Sequence, residues 1–262
     1  LVGSEMCIRD RHRQGVQFRW ENKKYKNFDD FLKTLSHRKR KKIRQERKRV
    51  NGYNLTILRK LGANISEEDL CFMYECYCQT YALHHSSPYL TKDFFITLHK
   101  LMPEKLLIIQ AFKDHVPIAS ALNIISDNKL YGRYWGAIEY MPNLHFELCY
   151  YQGQEFCIEN NIEFFEGGAQ GEHKIARGFK PFDTFSSHYI VNNEFREAIM
   201  YEYRFEMLGE GEDAHNNRRR GFDYFLNKTI LFHNNNPIHN TSVDLTLSTD
   251  PSQVMSLPIP LI

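Results

Sequence analysis

The residues best suited to chemistry lie close together in Gly167-Gly168-Ala169-Gln170-Gly171-Glu172-His173-Lys174-Ile175-Ala176-Arg177-Gly178-Phe179. An imidazole beside a carboxylate can take or relay a proton, and two cations can hold an anion or a polarised carbonyl. Glycines let a backbone turn sharply and come close to a ligand. A polar turn after the apolar run 162–165 accounts for the same residues without any chemistry. Further candidates are Trp135, Glu139, His145 and Glu147. On a 3.6-residue turn, positions two apart diverge by roughly 200°, so at most one of His145 and Glu147 faces a common site.

A second feature is electrostatic. Residues 37–49 hold nine Lys or Arg and one Glu, a local charge of +8 within a chain whose net charge is +2, so the remainder carries −6. A basic segment on a mildly acidic body points to an anionic ligand. Arg38, Lys39, Arg40 and Arg44 are the foremost candidates, and a solvated charged helix is the plainer reading. The charges are expected all round the helix rather than on one stripe. The six cysteines form no CxxC pair, and neither His84-His85 nor Glu172-His173 sits in a metal-ligand frame, so a disulfide scaffold and a metal site are both poorly supported. Transmembrane-length apolar runs and a secretory signal are not found, which makes the cytoplasm the expected location.

These groups need a scaffold. Apolar spacing and acidic starts predict helices over 28–49, 66–81, 91–101, 142–160 and 193–207. Ser66-Glu67-Glu68-Asp69 has the form of a capping box. Strands are predicted over 53–58, 106–112, 117–125, 129–135, 162–165 and 184–191, the middle three as an antiparallel meander joined by short polar turns. The order implies an α/β (α+β) layer fold with a mixed, mostly antiparallel sheet flanked by helices. Leu1 to Arg11, LVGSEMCIRDR, resembles translated sequencing-adapter read-through and is set aside, so residues 1–13 are expected to be an artefact, 14–207 the folded domain and 208–262 an irregular tail.

Four strings carry a resemblance. They are Tyr134-Trp135-Gly136-Ala137-Ile138-Glu139, Leu144-His145-Phe146-Glu147, Cys149-Tyr150-Tyr151-Gln152-Gly153 and the stretch from Gly168 to Phe179. With the basic segment after Phe28-Asp29-Asp30-Phe31-Leu32, they resemble the FemAB-like predicted N-acyltransferases of the GNAT superfamily, annotated for peptidoglycan biosynthesis or recognition. The resemblance runs from about Gln14 to Ala198. It implies a GNAT-like acyl-CoA N-acyltransferase fold and a preceding lobe, which these residues are expected to lack.

On that resemblance the expected activity is amide-forming transfer of an acyl or aminoacyl group to an amine in cell-envelope precursor metabolism. A peptidoglycan-peptide or acyl-tRNA recognition module without turnover is the alternative, and an RNA-binding domain driven by the basic helix is a third reading. Amide formation needs a base for the amine, donors for the carbonyl and contacts for the donor's phosphates. His173 or Glu139 is expected as base, meeting across the sheet edge, with Glu172 orienting. Trp135, His145, Glu147, Gln170, Gly171, Lys174, Arg177, Arg38, Lys39, Arg40 and Arg44 are expected to bind substrate. Trp135, Tyr134 and Tyr131 either line a pocket or pack as strand aromatics. The co-substrate is acyl-CoA or aminoacyl-tRNA, with tRNA contact through the basic helix. The acceptor is a small-molecule or peptide amine, and no membrane insertion is expected. A GNAT pyrophosphate loop is not visible between Trp135 and Leu144, which counts against CoA.

Overall fold

In the computed structural model, which describes residues 11–169 and 171–188, seven strands form a sheet of order β2-β3-β4-β5-β6-β1-β7. In chain order these are β1 (Arg11–Glu21), β2 (Thr56–Leu61), β3 (Leu106–Lys113), β4 (Val116–Ser126), β5 (Lys129–Ala137), β6 (Phe164–Glu166) and β7 (Lys180–His188). The helices are α1 (Phe28–Lys33), α2 (His37–Asn51), α3 (Glu67–Leu83), α4 (Lys92–Leu101) and α5 (residues 144–159). Residues Gln14–Thr184 make up one compact unit, which holds every site described below. The expected mixed sheet flanked by helices is present. The predicted helix over 193–207 lies outside the described residues.

The meander forms as local sequence dictates. Asp114 and His115, both at positive φ, make the two-residue turn between β3 and β4. Leu106, Ile108 and Leu122 pack under α3 and α4, while Leu107, Ile109, Ala119, Ala121 and Leu130 face α1, α2 and α5. The capping box at α3 forms as expected: Asp69 N–H donates to Ser66 Oγ (3.2 Å) and Ser66 N–H to Asp69 Oδ2 (2.9 Å).

Two local elements differ from expectation. The helix predicted over 28–49 is two helices. Thr34 closes α1, and Ser36, accepting from Lys39 N–H at 3.5 Å, opens α2, so a hydroxyl cap competes with continued helix at this point. Strand β1 is additional, and it occupies the sheet between β6 and β7. Its alternation Phe18-Arg19-Trp20 buries the two aromatics and leaves Arg19 partly exposed.

β5 and β6 are parallel neighbours over three pairs only, Lys129–Phe164, Leu130–Phe165 and Tyr131–Glu166. Beyond them β5 runs on to Ala137 without this partner, which opens a gap in the middle of the sheet. At the mouth of that gap β5 holds one extra residue. Leu122 pairs with Tyr134 and Asn123 with Gly132, leaving Arg133 bulged. Such bulges redirect a side chain and sharpen strand twist.

Helix α3 crosses β5 at Gly136. A Cβ there would sit 1.9 Å from the carbonyl oxygen of Cys76, and the obstacle is backbone. Thr80 Oγ1 donates to Trp135 O (2.7 Å) one turn further on. Gly136→Ala is therefore expected to lift α3 off the sheet at a cost of about 1–3 kcal/mol. Urea unfolding is expected to show a lower midpoint at unchanged slope.

Candidate active site

The gap between β5 and β6 is a narrow cleft of about 50 Å³. Tyr77, Thr80 and Tyr81 of α3 line it from one face of the sheet, and His145, Cys149 and Tyr150 of α5 from the other. Asn123, Gly132, Arg133, Tyr134, Trp135 and Gly167 complete the wall. Sites for whole small molecules run to roughly 300–1,000 Å³. This cleft admits the end of a chain.

Helix α5 shapes its wall of the cleft through an irregularity. Its ends, Leu144–Phe146 and Gln152–Glu159, are α-helical, and its middle, Glu147–Tyr151, is π-helical. A π-turn bonds i to i+5 and brings residues five apart onto one face. His145 and Tyr150 thus meet with ring centroids 5.4 Å apart, and His145 lies 5.2 Å from Trp135. Glu147 points the other way.

The glycine stretch supplies the next group. It is not an open loop. Glu172–Arg177 forms a 3-10 turn, entered by Gly171 at φ 95°. A Cβ on Gly171 would lie 2.2 Å from the His173 ring, so glycine is needed both for the backbone angle and for the imidazole's place. His173 Nε2 is 2.9 Å from the Tyr150 hydroxyl. A continuous polar path therefore leads from the cleft wall through Tyr150 to a solvent-accessible imidazole. Burial of the ring, then the cations Arg177 and Lys174, pull the His173 pKa down to about 4. Burial, then His173, Arg177 and Lys174, take His145 down to about 3. Both imidazoles are neutral at pH 7, the form that can accept a proton.

The other predicted residues are placed as follows. Trp135, His145 and His173 come together at or beside the cleft. Glu139 does not line it; its carboxylate pairs with Lys113 at 2.7 Å, both side chains 43% exposed. Glu147, expected to bind substrate, is buried and accepts from Arg47 and Gln152 (2.9 and 2.8 Å), because the π-turn aims it at α2. Arg177, expected to hold an anion, is also buried and fully engaged. Its Nη2 donates to Glu46 (2.7 Å), its Nε to the Tyr151 hydroxyl (3.0 Å) and its Nη1 to His173 O (2.7 Å). It fixes the turn that presents His173. Lys174 is buried with its Nζ 5.7 Å from the Phe18 ring centroid. Gln170 and the side chain of Glu172 lie outside the described residues.

The basic helix has a buried stripe after all, since Ile43, Glu46 and Val50 pack inward and Arg47 joins Glu147 and Glu155. Lys39 Nζ donates to Ile175 O (3.0 Å), Arg40 to Lys33 O (3.4 Å), and Arg44 pairs with Asp29 (3.1 Å). Arg38, Lys41, Lys42, Lys48 and Arg49 are exposed. Lys42 is close enough for its charge to act on His173. The residues not anticipated as site members are Asn123, Arg133, Tyr150 and Glu46. Tyr150 was within reach of the sequence, since it follows His145 in the same helix, but α-helical spacing turns the two apart.

The FemAB-like family model, described as peptidoglycan biosynthesis/recognition, matches residues 5–218. The chain belongs to the FemAB-like family. Among solved structures, L-PGS from Bacillus licheniformis is similar at 11% identity and a TM-score of 0.52, covering 75% of this chain and 67% of that one. FemX is similar at 12% identity and a TM-score of 0.51, covering 74% and 69%. The FemAB-like chain thus shares its fold with both. No curated protein matches the sequence. Among the described residues no helix is long and apolar enough to cross a membrane.

Proposed function

We propose that this FemAB-like protein forms an amide by transferring an acyl or aminoacyl group to an amine in peptidoglycan precursor metabolism. The observation that carries the reading is the Tyr150–His173 bond at the wall of a cleft running through the sheet, with the imidazole held neutral. The acceptor amine must lose a proton as its nitrogen bonds the acyl carbon. With His173 protonated on Nδ1, its Nε2 accepts the Tyr150 hydroxyl proton while Tyr150 oxygen takes one from the amine. The acyl carbon's bond to its leaving oxygen or sulfur breaks, and that atom leaves with the electron pair. Tyr150, whose pKa burial raises, is not left as a free phenolate in this concerted step.

Aminoacyl-tRNA is the favoured donor. The exposed cations Arg38, Lys41, Lys42 and Arg49 on α2 run past the His173 turn and suit a phosphate backbone. The test is incubation of the protein with a peptidoglycan stem peptide and either aminoacyl-tRNA or acyl-CoA, with the product followed by mass. An amide product that is lost in Tyr150→Phe supports the reading. Stem-peptide binding with no product from either donor supports a recognition module instead. If tRNA is the donor, neutralising Arg38 and Lys42 together is expected to raise KM several-fold and to flatten its salt dependence, leaving the thermal midpoint within a few degrees. Unchanged KM would remove α2 from the donor site.

A further inference from the structure

Two donors at the cleft have no hydrogen-bond partner among the described residues, one of them fully buried. Asn123 is 1% exposed, lines the cleft, and its Nδ2 has no partner. Arg133 is the bulged residue of β5 and lines the same cleft. Its guanidinium rests over the Tyr131 ring, 5.3 Å from the centroid, without an ion pair among the described residues. The carboxylate whose field reaches it, Glu166, gives Oε1 to Arg19 at 2.6 Å. Burial lowers the Arg133 pKa, yet a guanidinium stays charged at any ordinary pH. A fully buried amide donor left unbonded is costly in the free protein, and beside it stands a partly buried cation with no ion pair among the described residues. The strand bulge sets Arg133 at the cleft wall, where its fork can swing from the Tyr131 ring to a ligand.

We infer that Arg133 and Asn123 form a carboxylate-binding subsite, the guanidinium fork and the amide N–H gripping the carboxylate of the substrate arm that enters between β5 and β6. A carboxylate offers lone pairs for both donors at once and the direct ion pair that Arg133 does not make with Glu166. The subsite rests on the transferase reading in one respect: it makes the acceptor an amino-acid-type amine whose own carboxylate is held while its nitrogen faces Tyr150. Amines without a carboxylate, and acceptors whose carboxylate is amidated, are then disfavoured.

The probe is N-acetylglycine, with N-acetylglycinamide as its uncharged counterpart. In ¹⁵N-labelled protein the Arg133 Nε–H resonance is expected to move downfield with the acid and stay in place with the amide. Arg133→Gln is expected to weaken the acid at least tenfold, Arg133→Lys less, and Asn123→Ala several-fold. Equal binding of acid and amide, or undiminished binding of the acid to Arg133→Gln at a normal thermal midpoint, overturns the inference. An Arg133→Gln that fails to fold leaves the decision to Arg133→Lys and to the acid-versus-amide comparison in the unaltered protein. Binding of the acid in a protein that makes no amide would sink the transferase reading and keep the subsite. Turnover that does not respond to Arg133→Lys, with no acid binding, would do the reverse.

Discussion

Arg177→Met is expected to destabilise the protein by about 3–5 kcal/mol, the cost of leaving a buried carboxylate without its cation. Glu46 and Arg177 are 7% and 1% exposed, and their ion pair bridges α2 to the glycine turn. Tyr151 donates to the same carboxylate, so the variant leaves Glu46 one hydrogen bond in a site nearly closed to solvent. Methionine fills the stem's space against Phe146, whose ring the guanidinium covers at 3.4 Å, so a cavity is not the main loss. Calorimetry is expected to show a midpoint lower by on the order of 10 °C. Glu46→Gln in the same background removes the stranded charge and should recover part of it, making the double variant more stable than Arg177→Met alone. A double variant no better than the single one would show that the stranded carboxylate is not the source of the loss. Activity should fall in both, because Arg177 also holds His173 O.

That network explains why the site was half legible. Where structure is set by neighbours in sequence, residue types announce it. Ser66 and Asp69 cap α3 through each other, and Asp114-His115 turns between strands whose apolar runs are complete in themselves. The glycine-rich stretch is likewise legible as a tight polar turn, with Gly171 and Gly178 at positive φ. The roles within it are not, because a cation's partner is a tertiary fact. Arg177 finds Glu46, 131 positions away, and Lys39 finds Ile175 O, 136 away. Nothing in a basic run indicates which members turn inward. α5 is legible as a helix, but its wide middle is not, for a different reason. A period of 3.6 turns His145 and Tyr150 apart, whereas the wider helix over Glu147–Tyr151 brings them together, and no residue type announces that widening. The same period did separate His145 from Glu147 correctly. β1 is legible in the alternation of Val16, Phe18 and Trp20, but its place between β6 and β7 is a tertiary fact.

His173→Ala and Tyr150→Phe are each expected to lower kcat by about 10²–10⁴-fold, the usual worth of a positioned proton acceptor, with KM changed far less. The two sit in series, Nε2 to hydroxyl at 2.9 Å, so the double variant should lose little more than the worse single one. The pH profile separates this from a merely structural role. An ordinary histidine titrates near 6.5, but burial and the neighbouring Arg177 and Lys174 hold His173 at about 4. Its neutral form therefore persists down to about pH 4, and the acid limb that it contributes to kcat should lie there rather than near 6.5. Stability follows the same sign. A histidine whose folded pKa is depressed costs nothing above the unfolded value, and its unfavourable protonation erodes stability as pH falls from about 6.5 toward 4. His173→Gln should remove that erosion and the acid limb together. An acid limb near 6.5 that survives in His173→Gln would place the base elsewhere, and His145, on the same cleft wall and held down to about 3, could not supply it either.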